Sequence, residues 1–168
     1  MNDSEFPRPI DLRQISERPV DLSATEAERA ALARRFALVA IHRLEAELSL
    51  ERKGETVAAT GRLQADIVQT CAVSGDDLPV RIDEALDLRF VPARAIDAEE
   101  LELAEEDCDE IPFEGEIFDL GEAVAQSLAL AIDPYATGPG ADRARREAGI
   151  MEESESGPFA ALAALRKN

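Results

Sequence analysis

The chain has no tryptophan, and aromatic residues make up only 4% of its 168 residues. Apolar residues nevertheless reach 45%, so the core must consist mainly of aliphatic side chains. No apolar run approaches the ~20 residues that a membrane-spanning helix needs, and the first residues lack the apolar stretch of a secretory signal. We therefore expect a cytoplasmic protein that does not bind membranes.

Cysteine and histidine are also scarce. Cys71 and Cys108 are too few for a disulfide scaffold, and neither has a histidine at metal-ligand spacing. No sequence signature links the single histidine, His42, to Cys71, and the glycine-rich phosphate-binding and nucleophile-elbow motifs are absent. We therefore predict no catalytic residue, no metal site and no cofactor, and we expect a protein that is not an enzyme.

Basic residues are outnumbered: 18 Lys and Arg stand against 36 Asp and Glu, giving a net charge of −18. This balance argues against a protein that binds nucleic acid mainly through its own cations. Residues 93–116 contain 11 acids and only one base, Arg94. A concentrated negative charge attracts Lys- and Arg-rich chains, so Asp107, Asp109 and Glu110 are candidate contacts for a basic partner. The alternative is a solvated loop that only aids solubility.

Two helices are predicted from their capping residues. Thr25 followed by Glu28 is a capping-box signature, and Asp119 followed by Glu122 marks the start of a second helix that ends before Pro134. The second helix carries one apolar stripe that can cover the open face of a sheet.

Three strands are predicted from alternating apolar and polar residues. The alternation begins at Leu44, continues after a polar turn at 52–55, and resumes after a second turn at 74–77. The fold class is therefore α+β, with an antiparallel β-meander sheet covered by about two helices, a long acidic loop and a flexible C-terminal tail.

We divide the chain into three segments. Residues 1–23 are rich in proline and are expected to form an extended N-terminal arm. Residues 24–135 form a single α+β domain that contains the acidic loop 93–116. Residues 136–168 form a charged tail with a short amphipathic segment, in which Phe159, Leu162 and Leu165 share one helical face. This face either docks on its own domain or anchors a partner.

The polar side of the predicted sheet carries four arginines, one or two on each strand: Arg43, Arg62, Arg81 and Arg89. If they cluster, they offer a surface for RNA despite the negative net charge of the chain. Direct binding of RNA through this face is therefore kept as an alternative.

Three segments of the chain resemble the bacterial YceD family of large ribosomal RNA subunit accumulation proteins. They are Gly61–Cys71, Ile117–Tyr135 and Gly157–Lys167, and the similarity in order covers about residues 16–167. The resemblance implies a role in the accumulation or maturation of large-subunit (23S) ribosomal RNA. The family's gene often lies beside the gene for a small basic large-subunit ribosomal protein.

The resemblance carries no catalytic residues over to this chain. Many family members have a C-x-x-C pair at the position of Cys71 and further cysteines after the second helix, which implies metal binding in those members. Here Ser74 replaces the second cysteine of the pair, and no cysteine follows Pro134. The expected metal site is therefore missing from this chain.

Charge and resemblance together favour a non-enzymatic ribosome-assembly factor. We expect it to bind a basic large-subunit ribosomal protein or a pre-ribosomal particle, and to contact ribosomal RNA directly or through that partner. Direct RNA binding through the arginines is one alternative. A metal-dependent RNA-processing enzyme is another. The sequence does not define the oligomeric state.

Overall fold

A computed structural model of the chain describes residues 4–93 and 109–149. The secondary-structure elements are β1 (Pro9–Asp11), a 3₁₀ turn (Leu12–Gln14), β2 (Val20–Ser23), α1 (Glu26–Arg35), β3 (Ala40–Lys53), β4 (Thr56–Thr70), β5 (Asp77–Pro92), β6 (Asp109–Phe113), β7 (Ile117–Asp119), α2 (Leu120–Ala131) and α3 (Ala141–Glu147). None of the helices in these ranges has the length and apolar character needed to span a bilayer.

The main sheet has five strands in the order β2-β3-β4-β5-β6. The pairs β2–β3 and β3–β4 are antiparallel, whereas β5–β6 is parallel. A separate antiparallel pair joins β1 to β7. The prediction of an α+β fold with a mostly antiparallel sheet is confirmed, and the three predicted strands are β3, β4 and β5.

The turn between β3 and β4 shows how local sequence sets the register. Lys53 pairs with Thr56, so the hairpin loop is only two residues long. Gly54 adopts a positive φ of 67° there, a conformation that glycine reaches without the steric cost of a Cβ atom. The loop predicted at 52–55 therefore fixes which side chains of β3 and β4 face the core.

Both predicted helix starts are observed. Thr25 and Glu28 form a reciprocal capping box at the start of α1, and the Asp119 side chain accepts from the Glu122 backbone amide at the start of α2. On α2 the apolar stripe is fully buried at Leu120, Val124 and Leu128. These side chains join one core cluster with the apolar side chains of the sheet.

The N-terminal segment predicted to be an extended arm contains two strands in the structure. β1 pairs with β7, β2 pairs with β3, and Phe6 is fully buried. The strands are only three and four residues long, so they carry too little alternation to be recognised from sequence. Residues 4–23 thus contribute to the core.

Part of the segment predicted to be an acidic loop is a strand. Asp109–Phe113 forms β6, which follows β5 at the end of the strand order. Proline lacks a backbone N–H and is accepted in an edge strand, which has a hydrogen-bonded neighbour on one side only, so Pro112 is compatible with this position. Phe113 is buried with its ring centroid 5.8 Å from that of Phe118, which lies 4.2 Å from that of Phe90. These ring contacts anchor β6 despite its acidic neighbours.

The described residues divide into two compact units. The larger holds 4–69, 79–93 and 109–133, and the smaller holds 70–78 and 134–149. Within the smaller unit the Ala72 amide donates to the Ala136 carbonyl at 3.0 Å. The segment predicted to be a charged tail therefore contains helix α3 and a backbone hydrogen bond to residues 70–78. The segment boundaries predicted from sequence remain predictions.

An ion pair between Arg8 and Glu28 makes the fold sensitive to acid. Arg8 donates to both oxygens of Glu28 at 2.8 and 3.0 Å and lowers the pKa of this carboxyl to about 2. Because the pKa is lower in the folded state than in the unfolded chain, this stabilisation is present above about pH 4.5 and is lost as the pH falls towards 2.

We expect Glu28→Gln to lower the free energy of unfolding at neutral pH by about 1–2 kcal/mol, since the pair is partly exposed and screened. The loss should shrink as the pH approaches 2, as measured by urea unfolding across the acid range. Glu26→Gln, in the same first turn of α1, is the control and should leave the pH dependence unchanged. Equal acid profiles for wild type and Glu28→Gln would contradict the prediction.

Candidate interaction surface

One side of the main sheet is polar and exposed, and we call it the outer face. On β3 the buried side chains alternate with exposed ones, and β4 and β5 show the same alternation over most of their length. Directly opposed pairs such as Glu47 with Arg62 and Arg43 with Asp66 place the polar residues of neighbouring strands on the same side.

The four predicted arginines all lie on the outer face, and two of them share one carboxylate. Arg43 Nε lies 2.8 Å from Asp66 Oδ2, and Arg81 Nε lies 3.2 Å from Asp66 Oδ1. Arg43 also reaches Glu45 at 3.4 Å. Hydrogen bonds from Arg43, and then from Arg81, lower the pKa of Asp66, so this carboxylate is charged and neutralises part of their positive charge.

The other two arginines are paired as well. Arg62 donates to Asp83 and lowers the pKa of that carboxyl. Arg89 Nη1 lies 3.6 Å from Glu110 Oε1 across the β5–β6 pair. The outer face therefore gathers the four arginines as the alternation predicts, but every one of them already faces an acidic side chain of the same sheet.

Three other carboxylates of the outer face form no ion pair with any described residue. Asp21 on β2 is directly opposite Glu47 on β3, and in the described ranges neither forms an ion pair; Asp87 on β5 likewise has none. Like charges at directly opposed positions destabilise a sheet. The outer face thus carries surplus negative charge at a structural cost.

Two of these carboxylates, those of Asp21 and Glu47, line a shallow cleft of about 500 Å³. Its polar lining consists of side chains from β2, β3 and β4: Asp21, Ser23, Glu45, Glu47, Arg62 and Gln64. The only cation in this lining, Arg62, is already paired with Asp83. The cleft is therefore suited to a positively charged side chain.

The structure separates the acidic candidates at 107–110. Glu110 lies on the outer face beside Arg89, whereas Asp109 pairs in register with Leu88 and so lies towards the opposite side of β6. Asp107 lies outside the described residues, as do the three C-terminal candidates Phe159, Leu162 and Leu165. The surplus acids Asp21, Glu47 and Asp87 were not singled out from sequence, since only strand register shows that they lack cations.

Cys71 lies in the smaller unit and acts as a hydrogen-bond acceptor. It is only 3% exposed, and its Sγ accepts from the backbone amides of Ser74 at 3.4 Å and Gly138 at 3.3 Å. The Ser74 side chain, together with these amides, lowers the pKa of the Cys71 thiol to about 6. The sulfur holds the turn at 71–76 and the loop at 136–140 together.

We expect Cys71→Ala to destabilise the protein by about 1–2 kcal/mol because two partly buried backbone amides lose their acceptor. Cys71→Ser keeps an acceptor and should cost less. Urea unfolding of the two variants beside wild type measures the difference. Equal destabilisation by alanine and serine would show that the hydrogen bonds contribute nothing.

The same turn does not fit the metal site that the family resemblance implies. Ser74 stands where the second cysteine of the pair would be, and within the described ranges no group of three His, Cys, Asp or Glu side chains is placed to hold a metal ion. Cys71 instead bonds to backbone amides of the two segments that it joins.

The fold and the surface define a class: an acidic α+β protein with one exposed, charged sheet face. The family model described as "Large ribosomal RNA subunit accumulation protein YceD" matches residues 59–166. The match covers more than half of the chain, and the chain therefore belongs to the YceD family. Comparison with curated proteins and with solved structures finds no significant match.

The family name places the chain in the accumulation of large-subunit ribosomal RNA. It describes the family by this role and not by a chemical reaction. The matched residues include most of β4 and all of β5, β6 and α2. They therefore contain Arg62, Arg81 and Arg89, three of the four paired arginines.

Proposed function

We propose that the chain is a non-enzymatic ribosome-assembly factor that acts in the cytoplasm. It supports accumulation and maturation of large-subunit (23S) ribosomal RNA by binding a basic large-subunit ribosomal protein, or an assembling particle that presents one. The outer face of the sheet is the binding surface, and the acidic segment 93–116 adds attraction at longer range.

The observation that supports this proposal is the surplus of carboxylates on the outer face. Asp21 and Glu47 oppose each other, and neither forms an ion pair among the described residues, because Arg62, which lies opposite Glu47 on β4, is engaged by Asp83. This like-charge pair costs stability in the free protein. A lysine or arginine of a partner removes that repulsion. Structural features that cost stability in isolation are often retained for binding.

Net charge supports the same partner class. With 18 basic and 36 acidic residues, the chain attracts a basic protein over distances comparable to the Debye length, about 8–10 Å at physiological salt. The attraction accelerates encounter and masks the partner's own cations. Binding should therefore weaken as salt increases.

The test is a pull-down from gently lysed cells with the full chain as bait, with and without RNase. The proposal expects basic ribosomal proteins to remain bound after RNase at about 0.05 M salt and to be released at about 0.3 M. Loss of all ribosomal material on RNase treatment would instead identify RNA as the tether and overturn the proposal.

Direct RNA binding is the second candidate, supported by the gathering of four arginines on one face. For RNA to bind there, its phosphates must compete with the carboxylates of Asp66, Asp83 and Glu110 for the arginine side chains. The variant set replaces all four with glutamine: Arg43, Arg62, Arg81 and Arg89. The matched control replaces four exposed arginines elsewhere: Arg18, Arg34, Arg143 and Arg146.

Under our proposal the outer-face set retains ribosomal protein after RNase at least as well as wild type, because removing the arginines frees carboxylates. Under the alternative, RNA retention collapses for the outer-face set and not for the control set. A metal-dependent RNA-processing enzyme would instead cleave precursor RNA when magnesium is added, and a single carboxylate substitution would stop the cleavage.

The acidic residue Asp107 and the C-terminal residues Phe159, Leu162 and Leu165 remain candidate contacts. In this proposal the three apolar residues anchor the partner after electrostatic encounter. Replacing them together with serine should speed release of the basic protein with little change in its association rate. An unchanged dissociation rate would remove them from the binding surface.

A further inference from the structure

A cleft of about 370 Å³ lies between α1 and the start of β3, and we call it the α1–β3 cleft. Its β3 wall consists of residues 38–42, a part of the chain that β2 does not cover, since β2 pairs with β3 only from Glu45 to Leu48. Residues 94–108 connect β5 to β6, and β4 separates those strands from β3. The α1 wall presents one face of the helix: Glu26, Arg29, Ala30, Ala33 and Arg34.

The floor of the α1–β3 cleft is apolar and its shape is fixed by a tight turn. Ala33 and Ile41 are buried, and Val39 between them in the lining is 49% exposed. The Leu38 amide donates to the Ala33 carbonyl at 2.8 Å, and Ala37 adopts a positive φ of 54°. A residue with a Cβ atom in this left-handed conformation costs stability, so the turn maintains the cleft against a local strain.

Two arginines of the cleft have no carboxylate partner among the residues that the structure describes. The Arg34 side chain forms no hydrogen bond or ion pair there, and Arg29 donates only to the Ala24 carbonyl, at 3.3 Å. Their neighbours in sequence, Arg35 and Arg43, are both ion-paired. The charges of Arg29 and Arg34 are therefore open to a ligand.

The sequence around the cleft has an unusual composition for this chain. Residues 29–44 form its longest stretch without Asp or Glu, and they contain four arginines and the single histidine, His42. His42 is exposed and contributes to the lining, whereas Glu26 is the one acid in it. A chain with twice as many acids as bases thus carries one local surface with an excess of positive charge.

We propose that the α1–β3 cleft binds the phosphate backbone of single-stranded RNA, with Arg29 and Arg34 as the phosphate contacts. The planar guanidinium group presents donors whose geometry matches phosphate oxygens, and the apolar floor accepts the less polar sugar edge. This inference goes beyond the proposed function, because it adds an RNA contact to the protein contact on the outer face.

RNA is favoured over an acidic protein segment because the proposed partner protein is basic, while an assembling particle also presents phosphates. The net charge of −18 repels RNA at long range, so the contact is effective at short distance and low salt. Such a weak contact gains strength when the outer face holds a protein of the same particle, because the second binding event is then intramolecular.

The probe is a fluorescein-labelled oligouridylate of about twelve nucleotides, titrated with the full chain at about 0.05 M salt and followed by fluorescence anisotropy. We expect Arg29→Gln/Arg34→Gln to weaken binding by at least about fivefold. The slope of log affinity against log salt should fall by about 1.4, since each phosphate contact to a single strand contributes about 0.7. The matched control is Arg18→Gln/Arg146→Gln, two exposed arginines elsewhere, which should lose less than about twofold.

A second pair of variants tests the position of the site on α1. Ala30 is exposed and lines the cleft, whereas Ala27 is exposed on the same helix and is not part of the lining. Ala30→Glu should weaken RNA binding by at least about tenfold, because it places a negative charge between the two arginines. Ala27→Glu adds the same charge to the same helix and should lose less than about threefold.

Three results would overturn the inference. The first is equal weakening by the two double arginine variants, which would show binding through net charge alone. The second is displacement of the RNA by an equal concentration of capped octaglutamate, which would assign the cleft to an acidic protein segment. The third is a urea midpoint for Arg34→Gln clearly below that of Arg146→Gln, which would show that Arg34 binds an acidic side chain of its own chain. Absence of RNA binding by wild type has the same consequence.

The proposed function fails or stands separately. The four-arginine control set described above contains Arg34, so under this inference that set loses RNA retention and the outer-face set keeps it. If Arg29→Gln/Arg34→Gln binds RNA as wild type does, while ribosomal proteins remain bound after RNase, the inference fails and the proposed function stands. If the cleft binds RNA but no ribosomal protein remains after RNase, the proposed function fails and the inference stands.

Discussion

Replacing Gly61 with alanine is expected to destabilise the protein by about 3 kcal/mol or more, which is a large part of the stability of a typical domain. Gly61 is opposite Leu48 in the β3–β4 pair. A Cβ atom at Gly61 would lie 1.9 Å from the Glu47 carbonyl oxygen and 2.9 Å from Leu48 Cα. These are backbone atoms of the neighbouring strand, so the clash can be relieved only by separating the strands.

The same hairpin supplies a control. At Gly54 an added Cβ meets nothing within 4 Å, and only the positive φ of 67° opposes it, so Gly54→Ala should cost about 1 kcal/mol. Urea unfolding of both variants beside wild type measures the two losses. A Gly61→Ala protein as stable as Gly54→Ala would mean that β3 and β4 separate without cost, contrary to their close approach at this position.

The Gly61 result also bears on the binding surface. Glu47, whose carbonyl oxygen the added Cβ would displace, carries one of the unpaired carboxylates of the outer face. Gly61→Ala should therefore weaken retention of a basic partner even under conditions in which the variant is still folded. Sequence alone places Gly61 on a core-facing position, but only the strand pairing shows why a side chain is excluded there.

The parts of the fold that follow from sequence are those with long periodic segments or local caps. β3 and β4 are 14 and 15 residues long, and the capping box at Thr25 involves residues only three apart. Signals of this kind lie within one window of sequence. For that reason α1, α2 and the three central strands were predictable.

The short edge elements were not predictable for the opposite reason. β6 is five residues long, contains Pro112 and is held by the rings of Phe90, Phe113 and Phe118. These rings come from three separate elements, so no local pattern brings them together. A short strand inside an acidic segment is therefore predicted from sequence to be part of a loop.

The same limit applies to the candidate surface. Alternation alone places the arginines on one face, but their partners depend on register: Arg43 and Asp66 are 23 residues apart, and Arg81 and Asp66 are 15 apart. The register also places Asp109 and Glu110 on opposite sides of β6. Sequence thus identifies which charges are present, and strand pairing decides which of them are available to a partner.

Reversing two unpaired carboxylates is expected to have the largest effect on binding. In Asp21→Lys/Glu47→Lys the cleft on the outer face changes from negative to positive, so we expect retention of a basic ribosomal protein to fall by at least about tenfold at low salt. Glu17→Lys/Glu147→Lys changes the net charge equally at exposed positions outside strands β2–β6 and outside the acidic segment 93–116. This control should lose much less, as measured by the RNase-treated pull-down and by association rates.

A stability measurement separates a binding role from a structural one. Asp21→Lys alone converts a like-charge pair with Glu47 into an opposite-charge pair, so it should raise the free energy of unfolding by about 0.2–1 kcal/mol. It should at the same time weaken binding of the basic protein. A loss of stability in this variant would indicate that Asp21 supports the fold. A gain in stability with a loss of binding would show that the opposed carboxylates of Asp21 and Glu47 cost stability in the free protein and form ion pairs with a cation of the partner in the complex.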